Sequence, residues 1–180
     1  MPIDAFDILG VPPAFDLDPE RLNQAYLIAA AAIHPDLAAG SETAPHRMAE
    51  VNQARRALAN PEMRADLLLK RLGGPAAEQE KGLPPQFLAE MMSVREQIQD
   101  ALGQIDPGKR EQHRRHWESW ARAERQRATR EVSEMFRSVP AEAASRTGPL
   151  KQIRIRLNAW RYVERLIEQL DPNFNARAGM

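Results

Sequence analysis

Apolar residues in this chain recur every three or four positions, and nowhere do they alternate with polar residues over the length of a strand. Side chains three and four apart share one face of an α-helix, whereas a strand turns alternate residues to opposite sides, so the pattern specifies helices and argues against a sheet. Proline and glycine punctuate it. Gly10 with Pro12 and Pro13, the Asn60-Pro61 step and Gly73-Gly74-Pro75 divide the first part, and a break over residues 101–108 divides the second. The expectation is an all-α protein in two units: residues 1–74, a polar Pro/Gly-containing connector at 75–84, and a helical bundle over 85–180.

Four helices are expected in the first unit. A short one at 3–9 stops at Gly10. The second starts strongly: Asp18 can cap, Pro19 suits the first helical position, Glu20 meets the positive helix end, and Leu17 and Leu22 can form a hydrophobic staple. It runs to residue 33 with Leu22, Ala25, Tyr26, Ala29 and Ile33 on one face. The third covers 44–58, with Met48, Val51, Ala54 and Leu58 as its stripe, and the fourth covers 62–72. Helices two and three are expected to form an antiparallel hairpin braced by one and four. In the second unit, helices at 85–102, 109–138 and 149–170 are expected to form a three-helix bundle. Their stripes are Leu88, Met91, Met92, Arg95, Ile98 and Leu102; Trp117, Trp120, Ala121, Ala128, Val132, Met135 and Phe136; and Ile153, Leu157, Trp160, Val163, Ile167 and Leu170.

Between the second and third helices stands His34-Pro35-Asp36. Proline lacks an N–H and disfavours the helical conformation in the residue before it, so the second helix must end near His34. An imidazole and a carboxylate are thereby set side by side at the tip of a helix pair, next to a loop. The histidine can donate with a charge that varies near neutral pH, and the aspartate can accept from an arginine. The plainer reading makes His34 a residue favoured by the helix dipole and Asp36 a turn starter. The three letters alone leave both readings open.

Composition removes several classes of function. There is no cysteine, which excludes disulfides, thiolate nucleophiles and cysteine-ligated zinc or iron–sulfur sites within this chain. Lys+Arg and Asp+Glu both number 25, so net charge points neither to nucleic acid nor to a membrane surface. The arginines between Lys109 and Arg130, interleaved with Trp117 and Trp120, suit phosphate and base stacking on paper, but Glu111 with Arg115 and Glu118 with Arg122 are spaced for ion pairs along a helix. His113 and His116 lack a third ligand at a usual spacing, so no metal or other cofactor is expected. No phosphate-cradling glycine loop or nucleophile elbow is present, and intrinsic catalysis is not expected. The first ten residues lack the order of a secretory signal, and no apolar run approaches the roughly 20 residues of a membrane span. A cytoplasmic location is expected; oligomeric state stays open.

Context resolves the His34-Pro35-Asp36 motif. Phe6, Leu9 and Gly10 precede a helix carrying Leu22 and Tyr26, and the motif is followed by Val51-Asn52-Gln53-Ala54, Leu58, Pro61, Arg64 and Leu67 to Leu69. Residues 1–73 in this order resemble the J-domain family of co-chaperones. The opening Asp4-Ala5-Phe6-Asp7-Ile8-Leu9-Gly10, the segment Met63-Arg64-Ala65-Asp66, and the later segments Phe87 to Glu96 and Trp160 to Leu166 are similar to the HscB type within that family. The resemblance implies a J-domain that stimulates ATP hydrolysis by a heat-shock chaperone of the HscA/DnaK class. It also implies a C-terminal bundle that binds an IscU-type iron–sulfur scaffold. Carried onto this sequence, the chaperone contacts are His34, Pro35 and Asp36 with Arg21, Arg47 and Arg55, and the client contacts are Leu88, Ala89, Met92, Ser93, Glu96 and Tyr162.

Leu88, Met92, Arg95, Glu96 and Gln99 also recur at helical spacing as a stripe beside the core stripe, and exposed Leu and Met can grip an apolar partner. The competing assignment puts Leu88 and Met92 in the bundle core. Two departures from the family pattern stand out. The second helix carries only Arg21 where J-domains usually display several basic residues, with Leu37 where a lysine is common, and Ala89 and Ser93 are smaller than usual. A general J-domain protein whose bundle dimerises or binds an unrelated client is the alternative within the same fold.

Overall fold

The computed structural model describes residues 4–33, 43–103 and 106–170, and its chain divides into two compact units, Met1–Gly73 and Gly74–Met180. The described residues are helical, with no strand: α1 Ala5–Leu9, α2 Pro19–Ala31, α3 Ala44–Ala59, α4 Pro61–Arg71, α5 Phe87–Leu102, α6 Pro107–Arg137 and α7 Thr147–Leu170, with one 3-10 turn at Ala143–Ser145 before α7. The all-α expectation holds. No helix among these residues is long and apolar enough to cross a membrane.

In the first unit the caps lie where short polar side chains precede each helix. Asp4 accepts from the Phe6 amide at 3.0 Å, Asp18 from Glu20 at 2.9 Å and Asn60 from Met63 at 3.1 Å. Gly10 closes α1 in the left-handed region at φ 63°, where a side chain would be strained. Helix α2 ends at Ala31 rather than at residue 33, although Ile33 still turns into the core. Helices α2 and α3 are antiparallel neighbours: Tyr26 Oη donates to Asn52 Oδ1 at 3.0 Å, and Arg55, C-terminal to Asn52 on α3, reaches back to Asn23 Oδ1 at 3.4 Å and lies 4.5 Å over the Tyr26 ring. Helix α1 packs on both, and α4 follows against α3. Phe6, Leu58 and Leu69 are fully enclosed at the centre.

A cation is sealed within this apolar interior. Arg64, 9% exposed, donates Nε to the Phe15 carbonyl at 2.7 Å and Nη1 to the Leu58 carbonyl, with its guanidinium 5.2 Å from the Phe15 ring centre. Burial pushes its pKa down, partly countered by Asp16. One side chain of α4 thus fixes the approach to α2 and the end of α3. At the surface Arg71 closes the same unit, bridging Asp4 at 2.8 Å and Asp7 at 2.9 Å.

The second unit is a three-helix bundle in which α5, α6 and α7 all touch one another. Helix α7 contributes Ile153, Leu157, Trp160, Val163 and Ile167 to the core, as its stripe predicted, and Leu150 one turn earlier joins them; the side chains of Leu102 and Leu170 lie outside the described set. Antiparallel ion pairs clamp α6 to α7. Arg125 forks onto Glu164, with Nε to Oε1 at 2.7 Å, and the Trp160 indole donates to the same carboxylate at 3.1 Å, while Arg156 meets Glu131. Residues 75–84 are fastened to α7. Buried Arg154 donates to the Pro75 carbonyl at 3.0 Å, and Asn158 donates to the carbonyls of Glu80 and Gly82 at 2.9 and 3.0 Å. The Glu80 carboxylate accepts from the Gly82 amide and pairs with Lys151, which together hold its pKa below the usual carboxylate range.

Arg64→Met should leave the Phe15 and Leu58 carbonyls buried without a donor and destabilise the first unit by about 2–4 kcal/mol. Denaturant unfolding of the full chain should show this as an earlier transition for that unit while the bundle transition stays in place.

Candidate functional site

Helix α5 begins abruptly. Gln86 sits in the left-handed region at φ 64°, the one described non-glycine residue with positive φ, and its carbonyl accepts the first helical bond from Glu90 at 3.1 Å. From there the helix buries Phe87, Met91, Ile98 and Ala101, with Val94 partly covered. The spacing of four, three, four and three is a seven-residue repeat, which keeps one narrow stripe toward α6 and α7. Leu88, Ala89, Met92, Ser93 and Glu96 consequently fall on the opposite side, and all five are exposed, Leu88 at 51% and Met92 at 61%.

This corrects the stripe assigned from sequence. Leu88, Met92 and Arg95 are not part of the bundle core; Phe87, Val94 and Ala101 take those places. Phe87 falls outside the stripe that Leu and Met spacing marks, because the buried heptad starts one residue before Leu88. Tyr162 arrives from α7, half-buried, with its ring edge-on to Phe87 at a centroid distance of 5.6 Å, which brings it to the first turn of α5. Ser93 is held within the helix by Gln97, whose amide donates to Oγ at 3.2 Å. The arrangement has no catalytic constellation. It is a convex helix face with two large, unbranched or singly branched apolar side chains, small residues between them and a carboxylate at one end.

The residues assigned to the chaperone divide differently. His34, Pro35 and Asp36 lie outside the described residues. Arg21 is exposed at the start of α2 with Asp18 3.9 Å away, and Arg47 is exposed on the first turns of α3. Arg55 is exposed too, but is engaged with Tyr26 and Asn23 across the helix pair.

The arginine run on α6 is largely committed to acids. Arg114 grips Glu111 at 2.7 Å and also Glu118, Arg115 reaches Glu111 at 3.0 Å, and Arg127 reaches Glu124 at 2.6 Å. Hydrogen bonds from Arg114 and then Arg115 draw the Glu111 carboxyl down to about 2. Beside this network His116 packs edge-on against Trp117 at 5.2 Å, and no described group of three or more histidine, aspartate or glutamate side chains is placed to hold a metal ion.

Comparison with known proteins agrees with this two-part layout. Residues 4–67 match the DnaJ domain family, and residues 83–171 match the family described as the HSCB C-terminal oligomerisation domain. The chain is 30% identical over 175 residues to the co-chaperone protein HscB homolog of Bordetella pertussis, covering 93% of this chain and 94% of that one. Among solved structures, the chaperone HscB from Vibrio cholerae superposes with a TM-score of 0.61 at 24% identity, over 93% of this chain and 99% of that one. The human co-chaperone protein HscB gives 0.70 at 22% identity, over 96% and 82%. At that identity the two structures speak to the fold.

Because Leu88 and Met92 lie outside the core, Leu88→Ala with Met92→Ala should shift bundle stability by less than about 0.5 kcal/mol per site, against roughly 2–5 kcal/mol for truncating a core residue. Replacing Gln86 by glycine removes a left-handed strain on the order of 1 kcal/mol and should raise the melting temperature of the bundle slightly. Thermal unfolding of the full-length variants checks both.

Proposed function

The chain belongs to the HscB family of J-domain co-chaperones, and on that premise we propose that it couples an HscA/DnaK-type ATPase to an IscU-type scaffold on which an iron–sulfur cluster is built. His34, Pro35 and Asp36, which follow α2 in the sequence, engage the ATP-bound chaperone and favour the conformation in which the partner hydrolyses ATP. The chain itself attacks no phosphate and regulates an enzyme without being one. The exposed face of α5, Leu88, Ala89, Met92, Ser93 and Glu96, with Tyr162 beside its first turn, holds the scaffold, and the cluster travels as that partner's cargo.

The observation that carries the client half is the exposure of Leu88 and Met92 on a helix whose core needs are met by other residues. Apolar side chains placed outward on a bundle cost solubility and give no stability, so a partner surface is their physical use. Methionine adapts its shape to that partner at low cost. Because one chain carries both contacts, the chaperone and its client meet within a single complex, and the second encounter runs at the effective concentration set by the chain rather than at the cellular one.

A second reading draws on the description of the matched C-terminal family as an oligomerisation domain, under which the same bundle would join two copies of the chain. The two readings separate cleanly. With the purified HscA/DnaK-type ATPase of the source organism, the wild-type chain should raise ATP turnover and His34→Gln should abolish that rise while remaining folded. With the IscU-type scaffold, Leu88→Ala plus Met92→Ala should weaken binding on the order of tenfold or more. Equal stimulation by His34→Gln overturns the chaperone role; unchanged scaffold binding by the double variant, with a dimer that the same variant dissociates, favours the second reading.

A further inference from the structure

Two other large apolar side chains stand in water, on α2. Leu27 is 55% exposed and Ile28 is 71% exposed, and Gln24, Ala31 and Ala32 beside them are exposed as well. The opposite side of α2, through Leu22 and Tyr26, faces α1 and α3, so the first unit makes no use of Leu27 or Ile28 in its own core. Charge on this face is confined to its first turn, where Glu20 and Arg21 lie beside Asp18. From Asn23 to Ile33 the chain has no ionisable side chain other than the Tyr26 phenol, which is hydrogen-bonded to Asn52.

We propose that Leu27 and Ile28 form an apolar docking face for the HscA/DnaK-type chaperone, replacing charge attraction with desolvation as the force that seats α2 on its partner. The proposal rests on the chaperone role assigned above and names the chemistry of that contact. Three observations favour this occupant. The exposed face continues through Ala31 and Ala32 to within two residues of His34 in the sequence, so a partner engaging the His34-Pro35-Asp36 segment comes within reach of it. Helix α2 itself offers no cation after Arg21 with which to meet an acidic surface, and the neighbouring Arg55 of α3 is engaged with Tyr26 and Asn23. Two large apolar residues fall far short of the about 20–30 residues a side that a stable homodimer engages, so the patch suits an auxiliary contact beside another anchor better than a self-association surface. The chaperone surface that fits is correspondingly apolar and shallow, with little acidic character.

Contacts of this kind differ from ion pairs in their response to salt. Screening weakens charge-driven docking steeply, and leaves apolar contact almost unchanged. The experiment measures stimulation of the source organism's purified HscA/DnaK-type ATPase by the full chain, as wild type, Leu27→Ser plus Ile28→Ser, Arg21→Ala and His34→Gln, at 50 and 300 mM KCl. The half-saturating concentration of wild type is expected to change by less than about threefold between the two salts, and the double serine variant to need on the order of tenfold more protein with an unaltered melting temperature. Arg21→Ala, which removes one of the cations assigned to the chaperone, should raise the half-saturating concentration by less than about threefold, well short of the double serine variant. A double serine variant as potent as wild type, or a steep salt dependence that Arg21→Ala removes, overturns the apolar contact. So does a wild-type dimer in sedimentation that the serine variant dissociates, which would assign the face to a second copy. If the serine variant is silent while His34→Gln abolishes stimulation, only this inference falls; if His34→Gln also stimulates fully, the functional reading beneath it falls as well.

Discussion

Placing the Arg64 guanidinium inside a unit of about seventy residues removes a cation from water, and the unit tolerates this only where other groups replace the lost hydration. Two backbone carbonyls do so, one from Phe15 before α2 and one from Leu58 at the end of α3. Each segment is therefore fixed by the same side chain, and the Phe15 ring covers the cation from one side. A small helical domain has little apolar area to spare, so directional bonds that set where helices begin and end matter more than they would in a large core. The α2–α3 pair is held in register by a similar polar contact, Tyr26 with Asn52 and Arg55.

The second unit solves the same problem around α7. Its apolar stripe fills the centre of the bundle, and its polar flank does two further jobs. Glu164 receives both Arg125 of α6 and the Trp160 indole, and Lys151, Arg154 and Asn158 fasten residues 75–84 along the helix. That segment reads as a connector by composition, yet its backbone carbonyls are hydrogen-bonded acceptors for side chains of α7. With α6 and α7 locked together, α5 contributes one narrow stripe to the core, and its opposite side stays exposed.

The two surfaces that the proposals use share a physical logic. Each lies on a helix whose inward stripe is complete without it, buried Leu22 and half-buried Tyr26 on α2, Phe87 and Met91 on α5, and each presents large apolar residues among small ones. Rigid helices hold these side chains in fixed places, which lowers the conformational cost of meeting a partner. The abundant arginines of α6 are not a third surface of this kind, because most of those described are bound to glutamates along the same helix or on α7.

Helix positions, caps and the division into two helical units were legible in the sequence because they depend on local rules: proline and glycine end helices, Asp18 and Asn60 cap them, and apolar periodicity identifies the covered side. The core stripe of α7 was legible for the same reason. The side of α5 that is buried was not, since Phe87-Leu88 and Met91-Met92 offer apolar residues to two adjacent stripes, and hydrophobicity alone does not choose between them. Packing against α6 and α7 chose the heptad through Phe87, Met91, Val94, Ile98 and Ala101, and turned Leu88 and Met92 outward. Likewise nothing local marks Arg64 as buried or Leu27 and Ile28 as exposed. Sequence determined which residues form helices, because that is settled within a turn or two of chain; tertiary structure decided which faces are covered, because burial depends on neighbours that the chain brings together from dozens of residues away.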